Sequence, residues 1–297
     1  MEKEAKTNFS FASIALSFFI LIVLPLTITG VIISKGVIKV GEEATQANLR
    51  ILDDNQKQSI AGRAQNVADA VAQFLADREK DIRIASILPR DEQTFTTFLK
   101  SNTRGVVQSS NVGIVKIPLP VYREIAFLDK SGMEALKVTV DGVVAKGQLR
   151  DMSNPANGEF GEEDYFIKAK QLTPGEFYMG PVVGNHVSRQ EFDAGKDFSG
   201  IVRMAAPVFD SNGFAGVVAL ALDYRHLMEF TGHIVPTEPG MVFARVNPDD
   251  MNFTFMVGRD GSMLAHPAQY LIGGLGPDRK PVPVMDVLKK VFASRVT

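Results

Sequence analysis

VRMAAPVFDSNGFAGVVALALDYRHL, residues 202–227, decides the fold of this chain. Two runs of mainly apolar residues are joined there by the turn 210–213, whose residues accept positive φ or bond their own backbone. This pattern predicts a β-hairpin. Because both runs are apolar at nearly every position, we expect central strands that are covered on both faces by helices.

Two other segments share the pattern of an apolar run, a polar turn with glycine, and a second apolar run. They are REIAFLDKSGMEALKVTV, residues 123–140, and FTFMVGRDGSML, residues 253–264. Between the first two hairpins, Glu162 to Leu172 is compatible with a helix and EFYMGPVV, residues 176–183, with a strand. The order predicts an α+β fold, an antiparallel sheet flanked by helices.

The N-terminal region is dominated by an uncharged apolar run. FSFASIALSFFILIVLPLTITGVIIS, residues 9–34, is long enough to cross a bilayer as a helix. A cleaved signal peptide is the alternative, but its apolar region would be roughly 7–15 residues long. We therefore expect a transmembrane helix at 9–34 that contacts membrane lipid. The lysines on its two sides are nearly balanced, and the short stub, residues 1–8, favours a cytoplasmic N-terminus.

A long helix is predicted after the membrane span. From Val40 to Leu88 there is no proline, and apolar residues recur at helical spacing with charged residues between them. Pro89 ends the pattern. We expect residues 35–88 to form a stalk whose helix is on the order of 70 Å long. The alternative is a pair of helices broken near Gly62.

Composition excludes several kinds of site. The 297 residues carry a formal net charge of -2, with no basic excess for binding nucleic acid, and the chain has no cysteine for disulfides or thiolate metal sites. His186, His226, His233 and His266 form no close ligand pair, so we expect no metal. No cofactor is predicted either.

A membrane-anchored enzyme is the alternative class of function. The chain contains no GxSxG, SxxK, GxxxxGK[ST] or Rossmann GxGxxG motif. The acidic run from Glu159 to Asp164 is typical of a solvated helix start rather than of a catalytic pair. No catalytic residue is predicted, and a membrane-anchored hydrolase and a non-signalling adhesion module stay as alternatives.

Several of these segments together resemble one family. The hairpin with Asp129 and Gly132, the segment EEDYFIKAKQLTPGEFYMGPVV, and MAAPVFDSNGFAGVVALALDYRHL resemble the membrane-distal module of a double Cache domain. This PAS-like domain is the extracellular sensor of bacterial chemoreceptors and sensor kinases. FMVGRDGSMLAHP resembles the opening of the smaller, membrane-proximal module. The resemblance covers the chain from about Val40 to its end.

The resemblance implies a sensor region in a bacterial inner membrane, with the bulk of the chain periplasmic or extracellular. It implies two PAS-like antiparallel-sheet modules after the stalk. Residues 89–231 would be the distal module, which encloses a small ligand, and residues 232–297 a truncated proximal module. The output of such a receptor is a chemotaxis signal, phosphorylation or cyclic-dinucleotide synthesis, and the sequence favours none of them.

The family's amino-acid-binding pattern is matched in part. Tyr165, Phe166 and Ala169 match its aromatic pair and alanine, and Asp223 is the match for the aspartate that holds the amine. Glu163 stands where the pattern has the arginine that binds the carboxylate. Because a glutamate cannot favourably pair with a carboxylate, we do not predict ordinary amino-acid sensing.

Two other arginines are candidates for the missing charge. Arg150 precedes the loop before the ligand-contact helix, and Arg203 lies in an otherwise apolar strand, where a guanidinium is costly unless a polar group meets it. With the hydroxyls of Tyr165 and Tyr178, they predict a pocket for a small organic acid. The alternative is that Arg203 pairs with Asp223, Glu163 or another protein acid, or points to solvent.

The C-terminal segment VPVMDVLKKVFASRVT, residues 282–297, predicts the start of a helix. Since a transmembrane sensor needs a route back through the bilayer, we expect the sequence to be part of a longer polypeptide. Ligand binding would then favour one packing of the stalk helix in a homodimer, because differential affinity for two states is the only energy available.

Overall fold

The structure is a computed structural model. It describes residues 24–110, 113–161, 163–238, 240, 246–258 and 261–282. The chain divides into two units, residues 1–62 and residues 63–297. The first unit holds the beginning of a helix, and the second holds the sheet and the candidate site.

The long helix α1 spans Leu24–Ile87 without a break at Gly62, which confirms one helix rather than two. In the first unit its large apolar side chains are exposed: Leu26, Ile28, Val31, Ile32, Ile33, Val37, Ile38, Val40, Leu49, Ile51, Leu52 and Ile60. Among the described residues, no helix combines the length and apolarity needed to span a bilayer. Residues 1–23, with the predicted stub and most of the predicted membrane span, lie outside the described residues.

The remaining helices of the described chain are short. They are α2 Glu92–Ser101, α3 Tyr165–Lys170, α4 Arg189–Asp193 and α5 Arg225–Met228, with single 3-10 turns at Lys146–Gln148, Pro155–Asn157, Pro248–Asp250 and Gln269–Leu271. Helix α2 is capped by Asp91, whose side chain accepts a hydrogen bond from the backbone N–H of Thr94. Predicted from Glu162 to Leu172, α3 occupies only the middle of that range.

The strands of the described chain are β1 Thr103–Ser110, β2 Gly113–Pro120, β3 Tyr122–Asp129, β4 Glu134–Thr139, β5 Gly142–Val143, β6 Tyr178–Asn185, β7 Ser199–Asp210, β8 Gly213–Asp223, β9 Met256–Val257, β10 Met263–Ala265, β11 Gly274–Leu275 and β12 Pro281–Val282. Eight of them form one sheet in the order β12-β11-β6-β7-β8-β3-β4-β5. Its pairs are antiparallel except β11 with β6. The pairs β1–β2 and β9–β10 stand apart from it.

All three predicted hairpins are present. The first joins β3 to β4, the second joins β7 to β8, and the third pairs β9 with β10. Gly132 and Gly213 adopt φ of 100° and 97°, which explains glycine at these two turns. The predicted turn residues 259–260 of the third hairpin lie outside the described residues.

The two predicted modules share a strand pairing. Leu275, in the predicted proximal module, pairs with Asn185 of β6, in the predicted distal module. The backbone N–H of His186 also donates to the carbonyl of Leu275, at 2.8 Å. The boundary between residues 231 and 232 stays a prediction, and residues 283–297 lie outside the described residues.

One face of the sheet carries large apolar side chains, and we name it the helix face. Strand residues such as Ile125, Met204, Leu220 and Leu222 share a hydrophobic cluster with side chains of α1 and α2: Phe74, Ile82, Ala85, Phe95, Phe98 and Leu99. Because alternate residues of a strand point to opposite faces, the residues between them point away from α1.

Candidate functional site

Small side chains line the centre of the opposite face of the sheet. Ala126 pairs with Ala219, Ala219 pairs with Ala205, and Ala221 lies two residues farther along β8. We name these four residues the alanine face. Helix α3 packs over β6, β7 and β8 on this side, and its residues Tyr165, Phe166 and Ala169 belong to the same buried cluster as three of the alanines. Small floor residues leave room between sheet and helix for the long polar side chains beside them.

Charged side chains occupy that room. Arg203 on β7 and Glu124 on β3 lie on either side of Ala221, and Lys137 on β4 pairs with Ala126. With Glu134 and Glu163 they form a group that we name the buried ion cluster: Glu124, Glu134, Lys137, Glu163 and Arg203. Each member is 8% exposed or less.

The contacts within the buried ion cluster run from one carboxylate to the next. Arg203 donates from Nε to Glu163 Oε2 at 2.5 Å and from Nη1 to Glu124 Oε1. Lys137 Nζ lies 3.0 Å from Glu124 Oε2 and 3.1 Å from Glu134 Oε1. Glu134 Oε2 accepts the backbone N–H of Arg150 at 3.0 Å. Both cations are therefore already matched by protein carboxylates.

These pairings fix the charge states of two members. Burial alone would raise the pKa of Glu124, but Arg203 and Lys137 lower it to about 2. Burial would lower the pKa of Arg203, whereas Glu124 and Glu163 help to raise it well above its usual value. Glu124 and Arg203 thus form an ion pair at neutral pH.

Glu163 reaches the cluster because the backbone before it is tightly folded. Its Oε1 accepts the backbone N–H of Phe160 at 2.9 Å. A Cβ at Gly158 would lie 2.7 Å from Glu163 Cγ and 2.5 Å from the carbonyl oxygen of Gly161, so only glycine fits. These contacts of Gly158, Phe160 and Gly161 place the carboxylate of Glu163 beside Arg203.

Tyr165 covers the buried ion cluster from α3. The centre of its ring lies 5.3 Å from the guanidinium carbon of Arg203, and the residue is 2% exposed. Burial raises the pKa of its phenol; Arg203 opposes that shift and the three carboxylates of the cluster add to it. Tyr165 therefore lies close enough to the cluster for its charges to act on the phenol.

Tyr178 and Asp164 form a contact at the edge of the site. The hydroxyl of Tyr178, on β6, donates to Asp164 Oδ1 at 3.2 Å, just before α3 begins. Burial raises the pKa of Tyr178 to about 12, and Asp164 adds to the shift. The bond joins the start of α3 to the sheet.

Asp223 lies at the end of β8 in a separate ion group. Arg123 donates from Nε at 2.9 Å and Arg225 from Nη2 at 2.7 Å to Asp223 Oδ2. Burial alone would raise the pKa of Asp223, but these two arginines lower it. Arg123 also donates to Ser199 Oγ at 3.0 Å.

The structure thus brings together four of the six predicted ligand residues: Tyr165, Phe166, Tyr178 and Arg203. Arg150 lies apart, with an exposed side chain that donates weakly to the carbonyl of Asn157, at 3.4 Å. Arg203 pairs with Glu163, as the alternative reading of the sequence anticipated. Whether any of the six touches a ligand stays a prediction.

Sequence reasoning missed three members of the cluster: Glu124, Glu134 and Lys137. A signal existed for two of them, because Glu124 and Lys137 interrupt runs of buried strand residues in the way that Arg203 does. Among the described residues, no group of three or more His, Asp or Glu side chains is arranged to hold a metal ion.

A separate cavity of about 290 Å³ lies between α4 and residues 246–249. It is lined by Arg189, Phe192, Asp193, Val246, Asn247, Asp249 and Tyr270. None of these residues belongs to the buried ion cluster. The cavity is therefore distinct from the predicted site.

Comparison with known proteins gives distant structural neighbours. No protein-family model and no curated protein matches the chain. Among solved structures, the extracellular domain of vpHK1S-Z8, a protein assigned as a histidine kinase, is 14% identical, with a TM-score of 0.45 over 74% of this chain and 71% of that one. The sensory domain of the Campylobacter jejuni chemoreceptor Tlp3 is 11% identical, with a TM-score of 0.44 over 72% of each chain.

A third neighbour is the ligand-binding domain of the Pseudomonas fluorescens chemoreceptor CtaA in complex with L-isoleucine. It is 13% identical, with a TM-score of 0.41 over 70% of this chain and 67% of that one. Two of the three neighbours are the sensory or ligand-binding domain of a chemoreceptor, and the other is the extracellular domain of a protein assigned as a histidine kinase.

Proposed function

We propose that this chain is the extracytoplasmic ligand-binding sensor region of a bacterial transmembrane receptor, and that it binds a small molecule without transforming it. The observation that carries the proposal is the alanine face. Small residues in the centre of a sheet, roofed by a short helix and bordered by charged side chains, are suited to enclosing a polar ligand. A sheet built only for stability would fill this layer with large apolar side chains, as the helix face does.

Ligand entry requires α3 and its flanks to move. The buried ion cluster and Tyr165 are almost inaccessible to solvent in the described conformation. The bond between Tyr178 and Asp164 holds the start of α3 against β6. A ligand that binds better when this contact is rearranged shifts the population toward the rearranged state, which is how a sensor converts binding into a signal.

The organic acid predicted from the sequence faces a specific cost at Arg203. A ligand carboxylate could pair with Arg203 only by displacing Glu163 or Glu124, or by adding a further negative charge beside them. A carboxylate that is left buried without its partner is strongly destabilising. The organic acid therefore stays a prediction, and it competes with ligands of other charge.

A thermal-shift screen of the purified full chain tests the proposal. Organic acids, amino acids, amines and purines are each added at millimolar concentration, and a binder is expected to raise the melting temperature by mass action. The shift should be lost in Tyr178→Ala and kept in Tyr270→Ala, because Tyr270 lines the separate cavity. If no compound in any class raised the melting temperature, the sensor proposal would fail.

We also propose that residues 9–34 contact lipid and that the stalk pairs with a second copy of the chain. The exposed apolar side chains of α1 between Leu26 and Ile60 support both proposals. Since the chain has no cysteine, single-cysteine variants report on pairing directly. Leu49→Cys should cross-link to its copy faster than Asp54→Cys, which lies on another side of the helix; equal rates would contradict the dimer.

A further inference from the structure

Two buried side-chain nitrogen atoms lack a hydrogen-bond partner among the described residues, and both belong to residues beside Phe74 of α1. They are Nδ1 of His226, on α5, and Nη1 of Arg104, on β1. The ring centre of Phe74 lies 6.5 Å from that of His226 and 4.8 Å from the guanidinium carbon of Arg104. The ring centre of Phe230, just after α5, lies 5.4 Å from that of Phe74 and 4.7 Å from the same guanidinium carbon. We name these four residues the histidine junction.

We infer that the histidine junction is an acid-sensitive switch, which is closed while His226 is neutral and opens when His226 takes up a proton. The inference goes beyond the proposed function and does not depend on a ligand. It rests on the hydrogen bonding of His226, on its burial and on the charges around it.

The hydrogen bond of His226 defines its neutral form. Nε2 lies 3.0 Å from the carbonyl oxygen of Pro120. Because a carbonyl oxygen only accepts, Nε2 carries the ring hydrogen and Nδ1 carries a lone pair. A second proton would go to Nδ1, which meets no acceptor in the described part of the chain. Since His226 is completely buried, protonation would create an unpaired N–H group and a charge that water does not reach.

The surroundings of His226 disfavour the charged form. Burial is the largest cause that lowers the pKa of His226 below its ordinary value of 6.5. Arg104 of β1 and Arg225 of α5 lower this pKa further, whereas Asp223 at the end of β8 raises it. Asp223, however, is already paired with Arg123 and Arg225.

The other charged groups of the adjoining elements have partners of their own. On α1, Arg78 binds Asp81 at 2.8 Å, and Asp81 also accepts the hydroxyl hydrogen of Tyr122 at 2.7 Å. On α5 and its C-terminal side, Glu229 accepts a backbone N–H of β1 at 3.1 Å and lies 3.4 Å from Nε2 of His233. A proton on His226 would thus enter a group of side chains whose carboxylates are already engaged.

Opening of the junction relieves both costs of protonation, because water then reaches Nδ1 and the charge. The junction joins α1 to β1 and α5, so opening separates Phe74 from His226. Acid would therefore loosen the packing of the long helix against the rest of the second unit. A histidine that is buried in its neutral form is a common basis of such pH-dependent rearrangements.

Titration of the histidine rings tests the charge state directly. The full chain, labelled with 15N in its four histidines, is followed by NMR in detergent from about pH 8 to about pH 5. The His226 ring should carry its hydrogen on Nε2 at the higher pH and take up the second proton below pH 6.5. His226→Gln identifies its signals; if that variant does not fold, variants of the other three histidines identify them by elimination. Protonation at or above pH 6.5, or a hydrogen on Nδ1 at pH 8, would overturn the inference.

Arg104→Met tests the surroundings of His226. Methionine keeps an apolar side chain beside Phe74 and Phe230 but removes the positive charge, so His226 should take up its proton at a higher pH. Arg90→Met is the matched control, because Arg90 stacks on the ring of Phe127, outside the junction. The same titration of His226 in both variants would contradict the junction.

Urea denaturation at a series of pH values tests the link to stability. As pH falls below 6.5, the unfolded chain takes up the proton before the folded chain does, so the folded form is lost. His226→Gln can still donate to the carbonyl of Pro120 but does not titrate. The ratio of folded to unfolded chain should fall more steeply in the unmodified chain, by up to about tenfold per pH unit. His226→Asn is the second variant, and parallel curves for the unmodified chain and both variants would refute the switch.

Thiol labelling tests whether the junction opens. The chain has no cysteine, so Val71→Cys, one turn before Phe74 on the packed side of α1, reports on this contact. Its labelling rate is divided by that of Asp69→Cys, an exposed position, to remove the pH dependence of the thiol itself. The ratio should rise several-fold from about pH 7.5 to about pH 5.5 and stay constant when His226→Gln is added. A constant ratio without His226→Gln, or an equal rise with and without it, would overturn the inference.

Discussion

On the helix face of the sheet, Met204, Leu220 and Leu222 interlock with α1 and are almost completely buried. On the opposite face, Ala205, Ala219 and Ala221 leave a shallow floor that five charged side chains and α3 fill. Both sets of residues lie on the same strands, β7 and β8. Because successive side chains of a strand point to opposite faces, the position of a residue along the strand decides on which face of the sheet it lies. The difference teaches that one sheet can carry two kinds of core: apolar side chains pack against the helices on one face, and ion pairs that need exact partners fill the other.

The strongest way to break this comparison is to remove the central cation of the site. Arg203→Met should lower the free energy of unfolding by about 4 kcal/mol, because Glu163 loses its ion-pair partner and Glu124 keeps only Lys137. Urea denaturation measures the loss. Arg225→Met is the matched control: its side chain is 45% exposed and Asp223 keeps Arg123, so the change should stay below about 1 kcal/mol.

A similar loss for both arginine variants would mean that burial of the pair does not set its energy. Adding Glu163→Gln to Arg203→Met should restore part of the stability, since one unpaired carboxylate is then removed. A double variant as unstable as the sum of the two single variants would contradict coupling between these residues.

On the helix face, we expect a substitution to lower the free energy of unfolding through lost packing and not through lost charge. Leu220→Ala should cost about 3 kcal/mol, because the residue is fully buried and its removal leaves a cavity between β8 and the helices. Ile87→Ala, at an 82% exposed position, should cost far less. The loss at Leu220 should be independent of pH between 5 and 8, and a pH-dependent loss would count against a purely apolar face.

The features that could be predicted from the sequence are those that depend on residues close together in the chain. Turn residues such as Asp129 and Gly213 act within four residues, so both central hairpins were predictable, and Pro89 marked the end of α1. The strands β1 and β2 were not predicted. Their alternation is weak, and Pro118 and Pro120 argue against a strand inside a large sheet, although a separate two-stranded pair tolerates them.

The buried ion cluster could be predicted only in part, because its partners are distant in sequence. Arg203 was recognised as a costly charge in an apolar strand, and Glu163 was named among its possible partners. Glu124 on β3 and Arg203 on β7 both pair with the same residue of β8, Ala221, and this brings the two side chains together. The pairing depends on the register of all three strands. Sequence spacing alone carries no information on that register.

The free energy of unfolding at acid pH tests the contribution of Glu124 to the ionic face. The pKa of Glu124 is about 2 in the folded chain and ordinarily 4.5, so its ionised form stabilises the fold fully above about pH 4.5 and that stability is lost as pH falls toward 2. The difference in unfolding free energy between the unmodified chain and Glu124→Gln should shrink by about 2 kcal/mol over this window. A flat difference for Glu124→Gln would contradict the ion pair.

The smallest expected effect concerns the floor itself. Ala219→Val adds two methyl groups beneath Tyr165 and Phe166, in a layer that is already packed, and should cost about 1 kcal/mol. Ala156→Val, at an exposed loop position, adds the same volume and should change the melting temperature little. If the layer opens to admit a ligand, Ala219→Val should also weaken every compound found in the thermal-shift screen, because the added methyl groups occupy the space that opening provides. A variant that loses stability but binds as before would place the ligand elsewhere than on the alanine face.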